Sequence, residues 1–219
     1  DGAENHSEGE GEWPARKAQA IQAYFEWMPI RPPTATEDSI YRAFRYGDLA
    51  DFIMLDTRLE GRVKQLENPV DLARADVRNL LGQTQKEWFK NKLATAQGQW
   101  KFVGQQVMFA QLNIAEIPSL SERHAQLRGN LSAINMDQWD GYAADRLKIL
   151  NHIDDNDIDN VVILTGDIHT SWASEIYRNP GTLLGDLFDK ALAAEFVTPA
   201  VTSPGFPEGV AELAGVVIP

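Results

Sequence analysis

Val161-Val162-Ile163-Leu164 is the longest aliphatic run in the chain, and both of its ends are marked. The acidic turn Asp154 to Asn160 precedes it, and Thr165-Gly166-Asp167-Ile168-His169 follows. A short apolar run between turn signals predicts a central, buried strand. It is far short of the ~20 residues needed to span a membrane. The rest of the chain supplies the helices and further strands that would layer around it. A helical spacing of Ala18, Ile21, Phe25 and Met28 starts near Pro14 and is stopped by Pro29. Tyr41–Arg45 and Phe52–Leu55 read as strands, the second buried on both faces. Thr84-Gln85-Lys86-Glu87 has the form of a capping box, with Trp88, Phe89, Leu93 and Ala96 on one side of the helix and Gly98 as its stop. Trp100–Ala110 reads as a strand. Gly141–Ile153 reads as a helix with Leu147, Leu150 and Ile153 inward, followed by a helix over Leu183–Ala194 and a strand over Phe196–Thr202. Helices alternating with short apolar strands predict an α/β fold, with long loops over 59–80 and 111–138. No internal repeat or domain boundary interrupts the pattern.

Composition excludes several functions. With 20 basic against 32 acidic residues, the net charge is −12, which argues against a nucleic-acid groove built from clustered Lys and Arg. There is no Cys, so disulfides, cysteine zinc sites and a thiolate nucleophile are excluded within these 219 residues. The nucleophile elbow, the phosphate-binding glycine loop and the dinucleotide fingerprint are absent.

The chemistry concentrates after Val161–Leu164, because ligands of open α/β sheets sit beyond the carboxyl ends of strands. In an extended backbone, residues i and i+2 point the same way, so Asp167 and His169 can aim an oxygen and a nitrogen at one cation, with Gly166 easing the turn. Such a pair suits Fe, Mn or Zn, with Ca at the carboxylate. The competing reading is an Asp that caps a turn and a His that packs. Asp137-Gln138-Trp139-Asp140-Gly141-Tyr142 places aromatics among carboxylates, either lining a mouth or anchoring a loop and capping a helix. Arg58, in Asp56-Thr57-Arg58 at a strand end, either faces an anion or pairs with Asp56. The acids Asp154, Asp155, Asp157 and Asp159 fail the calcium-loop pattern, and His6, His124 and His152 have no partner spacing.

Eight stretches, in order, resemble the alkaline phosphatase D (PhoD-type) metallophosphatase family. They are DGAENH at 1–6, AYFEWMP at 23–29, YRAFRYGDLADFIMLDTR at 41–58, LGQTQKEWF at 81–89, WKFVGQQVMFA at 100–110, DQWDGYAADR at 137–146, VVILTGDIHTSWA at 161–173 and EFVTPAVTSPG at 195–205. The resemblance implies a metallophosphatase fold, in which two mixed β-sheets pack face to face with flanking helices. Residues 1–219 would then be a partial catalytic domain, truncated at both ends and inactive alone. It also implies a metal centre, typically Fe3+ with Ca2+ and with Mn or Zn as alternatives. Phosphomonoesters or phosphodiesters, small or polymeric, would be hydrolysed by in-line attack of an activated hydroxide on phosphorus. Asp167 and His169 would be metal ligands and catalytic residues. Trp172, Asp137, Trp139, Asp140 and Arg58 would shape the substrate pocket. Gln105 lies where related phosphoesterases carry a His, and it is not expected to be a ligand. Family members are usually exported, which implies a periplasmic or extracellular location. The alternative is a non-catalytic metal-binding domain of the same fold.

Overall fold

The computed structural model describes residues 6, 8–31, 39–66, 78–111, 135–178 and 189–202. The elements in chain order are α1 (Trp13–Trp27), β1 (Arg42–Tyr46), β2 (Ala50–Met54), α2 (Gly82–Thr95), β3 (Trp100–Gly104), α3 (Ala143–Asp155), β4 (Val161–Thr165), β5 (Trp172–Ile176) and β6 (Ala193–Val197). All six strands belong to one mixed sheet of order β1-β2-β3-β4-β6-β5. The inner strands β2, β3, β4 and β6 are parallel, whereas β1 and β5 close the edges antiparallel. The α/β expectation therefore holds, and β4 is central as its sequence required.

The two sheet faces differ. Ile53, Val103, Ile163 and Val197 are buried on the helix side, together with Phe89 and Leu93 of α2 and Ile149, Leu150 and Ile153 of α3. Full burial of such a side chain stabilises by about 1.5–3 kcal/mol. Lys86 of α2 and Asp145 of α3 form a buried ion pair at 2.6 Å, completed by Asn79 and the Leu80 N–H. On the other face Phe44, Phe52 and Phe102 stack in a row across three strands, 5.0 and 5.2 Å apart. Phe44, Leu164 and Phe196 remain largely exposed there. In the expected two-sheet arrangement this is the face on which a second layer would stack. Among the described residues there is one sheet.

Several local expectations change. β2 is not buried on both faces, because Phe52 and Met54 stay partly exposed, and the central β4 likewise turns Leu164 to the open side. The capping box does not form, since α2 begins at Gly82 and Thr84 lies inside its first turn. Gln85 is buried instead, and its side-chain amide makes two hydrogen bonds of 2.8 Å with the backbone of Asp56. Gly98 lies beyond the helix end, where a Cβ would come within 2.7 Å of the Ala50 backbone. β3 ends at Gly104 rather than Ala110. Leu147 is exposed, and Ile149 takes its inward place. β5 has no strong apolar run and was not anticipated, whereas β6 begins at Ala193, inside the expected last helix. The rest of that helix falls largely on 183–188, outside the described residues.

Candidate active site

Parallel pairing brings the carboxyl ends of β2, β3 and β4 to one end of the sheet. Beyond β2, the Asp56 carboxylate accepts the N–H groups of Arg58 and Leu59 at 2.9 and 2.8 Å. Asp56 thus folds its own turn and is not the ion partner of Arg58. Thr57 is tied through its N–H and hydroxyl to Gln106. With its neighbours fixed, Arg58 extends across the sheet end. It donates to Asp137 at 2.7 Å and to Asp167 at 2.9 Å. Arg62 donates to the same Asp137 carboxylate and to the Thr57 carbonyl.

Burial works against the Arg58 charge, but the Asp137 and Asp167 carboxylates outweigh it and raise the pKa of the guanidinium above its ordinary value. Burial likewise pushes the Asp137 carboxyl up, and Arg58 and Arg62 more than reverse this, holding it below the usual carboxylate range. Because the Arg58 and Asp167 side chains are each 35% exposed, their ion pair is worth only about 0–1 kcal/mol. It is therefore exchangeable.

The turn after β4 differs from the extended geometry predicted for it. Asp167 and His169 both have left-handed backbones, with φ of 69° and 59°. Gly166 does not, and no atom approaches the place of its absent Cβ. The unfavourable conformation therefore falls on the two residues singled out for chemistry rather than on the glycine. Ile168 between them is buried and its N–H reaches the Gly166 carbonyl at 2.8 Å, so it pins the turn while its neighbours stay exposed.

Two expected pocket residues have other tasks. Trp139 is wholly buried, stacks obliquely on Phe109 and donates its indole N–H to Gln105 at 2.7 Å. Asp140 is buried in a 2.9 Å ion pair with Arg146. Both support the site from below and do not line it, because in Trp139–Tyr142 the chain forms a tight 3-10 turn packed inward. Trp172 stands at the start of edge strand β5, in register with Val197 at the same end of the sheet, and is 40% exposed. Gln105 spends its amide on Trp139 and Thr165. Gln138 was not singled out, yet it donates to Asp167 at 3.0 Å. Nothing in its sequence context distinguishes it from a loop Gln. His152 donates from Nε2 to the Lys90 carbonyl at 2.9 Å, and His6 lies against Trp13. His124 is outside the described residues. Arg178 pairs with the acidic turn at Asp154. Among the described residues no three His, Cys, Asp or Glu side chains cluster as a complete metal site.

Residues 1–216 match the family described as PhoD-like phosphatase. Alkaline phosphatase D of Bacillus subtilis (strain 168) is 37% identical over 198 residues, covering 87% of this chain and 31% of the relative. A solved structure, "Structure of PhoD", superposes with a TM-score of 0.73 at 34% identity, over 92% of this chain and 36% of that one. The chain thus spans about a third of the length of these relatives. The family match over nearly the whole sequence, with 37% and 34% identity to these relatives, carries the assignment: the chain belongs to the PhoD-like phosphatase family.

Proposed function

We propose that residues 1–219 are part of the catalytic domain of a phosphoric ester hydrolase, and that the end of the sheet described above is one wall of its active site. The observation that carries this reading is the Arg58 bridge. A guanidinium fork, the ligand geometry best matched to phosphate, rests on an exchangeable carboxylate beside an exposed imidazole. A phosphate ester can take over the Arg58 N–H groups while Asp137 and Arg62 keep the arm in place. Trp172 offers an aromatic surface for the organic part of the ester.

Asp167 and His169 fit a metal as two members of a larger ligand set. Oxygen plus nitrogen suits Fe, Mn or Zn with Ca at the carboxylate, and Asp167 already balances one cation, Arg58. Such a metal supplies a water of lowered pKa and neutralises charge on the transferring phosphoryl group. The family resemblance supports Fe3+ with Ca2+ and an exported enzyme. No helix among the described residues is long and apolar enough to cross a membrane. Two ligands are fewer than the about three protein ligands of a typical catalytic metal. The 219-residue chain alone is therefore expected to hydrolyse nothing at a useful rate.

The test uses a complete enzyme that contains this segment. Metal content is measured alongside hydrolysis of nitrophenyl phosphate and bis(nitrophenyl) phosphate, the pair that separates monoesterase from diesterase. Asp167→Ala should lose both metal and turnover. Metal binding without turnover in the unaltered protein would favour a non-catalytic metal-binding domain.

A further inference from the structure

Asp167 has two oxygens, and the structure treats them differently. Oδ1 faces Arg58, in the exposed pair already described. Oδ2 accepts a hydrogen bond of 3.0 Å from the Nε2 of Gln138, a side chain only 2% exposed. We propose that Gln138 is a positioning residue that fixes Asp167 Oδ2, so that Asp167 offers Oδ1 alone to a cation. This rests on the reading of Asp167 as a metal ligand.

The argument starts with the amide itself. Gln138 Oε1 accepts the Met108 N–H, which has to find an acceptor because it is buried. That bond decides which end of the amide is oxygen, so Nε2 must face Asp167. The Gln138 backbone is equally constrained. Its N–H reaches the Asn135 carbonyl at 3.2 Å, its carbonyl accepts the Gly141 N–H at 3.0 Å, and the next N–H, of Trp139, returns to the Met108 carbonyl at 3.2 Å.

Met108 is held in turn. The N–H groups of Phe109 and Ala110 donate to the two carboxylate oxygens of Glu195, at 2.8 and 2.7 Å. Glu195 is wholly buried in β6 and also accepts the Thr165 hydroxyl at 2.6 Å. Thr165 is the last residue of β4, two before Asp167. One buried carboxylate therefore anchors both ends of the path, the loop that aims Gln138 and the strand that carries Asp167. Relative motion between donor and acceptor is suppressed without any contact from Glu195 to Asp167. The Met108 bond occupies only the amide oxygen, and the buried Nε2 also needs an acceptor. The acceptor it takes is not a core group but the Oδ2 of Asp167, whose side chain is 35% exposed, so the bond ties the core to the rim.

Removing partners of this kind typically costs 10–100-fold in metal affinity or activity. The experiment titrates Mn2+ into the metal-free complete enzyme by calorimetry and follows turnover in parallel, in a double-mutant cycle of Gln138→Met with Asp167→Ala. Gln138→Met should weaken Mn2+ at least tenfold in the Asp167 background and about twofold or less in the Asp167→Ala background. Gln138→Glu preserves volume and the acceptor for Met108, so it tests the donor in a protein that folds. It should lower kcat about tenfold with KM within about twofold. Equal Mn2+ losses in both backgrounds would mean that Gln138 is structural only. Wild-type kcat in Gln138→Glu would also overturn the proposal. If Asp167→Ala itself leaves Mn2+ affinity intact, the ligand reading fails and takes the proposal with it.

Discussion

β3 and β4 lie side by side and run the same way, yet their exits from the sheet are opposites. After β3, residues 105–110 turn inward. Gln105, Val107, Met108, Phe109 and Ala110 are all buried, and Trp139 and Glu195 receive or supply their polar contacts. After β4, the chain turns outward, with two non-glycine residues in left-handed conformation and exposed. The contrast shows how an α/β sheet divides labour between neighbouring loops. The β3 exit, the floor, is packed inward and hydrogen-bonded, whereas the β4 exit, the rim, is exposed and carries its backbone strain at the surface.

The largest effect that can break this contrast lies in the floor. Trp139→Ala removes a buried ring and orphans Gln105, so urea titration should register a loss of about 3–5 kcal/mol. A loss below about 1 kcal/mol would mean that the β3 exit is not rigid. In the rim, His169→Ala in the complete enzyme should cost about a hundredfold in kcat/KM, equivalent to about 2.7 kcal/mol, and lower metal content. The stability of the metal-free protein should move by no more than about 1 kcal/mol. Wild-type activity and metal in that variant would remove His169 from the site.

Smaller measurements sharpen the comparison. Because position 169 is left-handed, His169→Gly should unfold at higher denaturant than His169→Ala, by about 1 kcal/mol. Equal stabilities would contradict the φ of 59°. The pH dependence should have opposite signs at Asp137, which holds the Arg58 arm of the rim, and at Glu195, which anchors the β3 exit. Asp137 is held below the usual carboxylate range, so its contribution is present above about pH 3.9 and lost as pH falls through its folded value. Burial pushes the Glu195 carboxyl up against the pull of its donors, so its contribution is full below about pH 4.3 and declines as pH rises through its raised value. Thermal melts across acid pH should lose part of the acid limb in Asp137→Asn. An unchanged limb would show that the Arg58–Asp137 latch adds nothing to stability.

How much of this was legible in the sequence follows from what kind of signal each part leaves. β4, α2 and the core residues Phe89, Leu93 and Leu150 announce themselves through apolar periodicity, which burial enforces directly. β5, with the sequence Trp-Ala-Ser-Glu-Ile, is an edge strand whose exposed residues carry no such constraint. The turn that carries Asp167 and His169 was visible as a polar stretch directly after a strand. The geometry was not, because left-handed φ values depend on Ile168 being pulled into the core. For Trp139 the loop-anchoring alternative holds and the pocket-lining one fails, because aromatic and acidic residues in a loop look alike whether they face a pocket or, as Trp139 and Asp140 do, Phe109 and Arg146. Gln138 left no trace, since a single amide acquires its meaning only when the ends of two strands are brought together.

Arg58 reaches its two carboxylates across 79 and 109 positions of sequence. This span matters for anyone recombining this chain with its relatives. A chimaera whose crossover falls between 58 and 137 takes the arginine from one parent and both acids from the other. A crossover between 137 and 167 divides the acids themselves. Breakpoints before 58 or after 169 would inherit the trio intact, together with Gln138. Library design by segment exchange should therefore treat 58–169 as one block, long as it is.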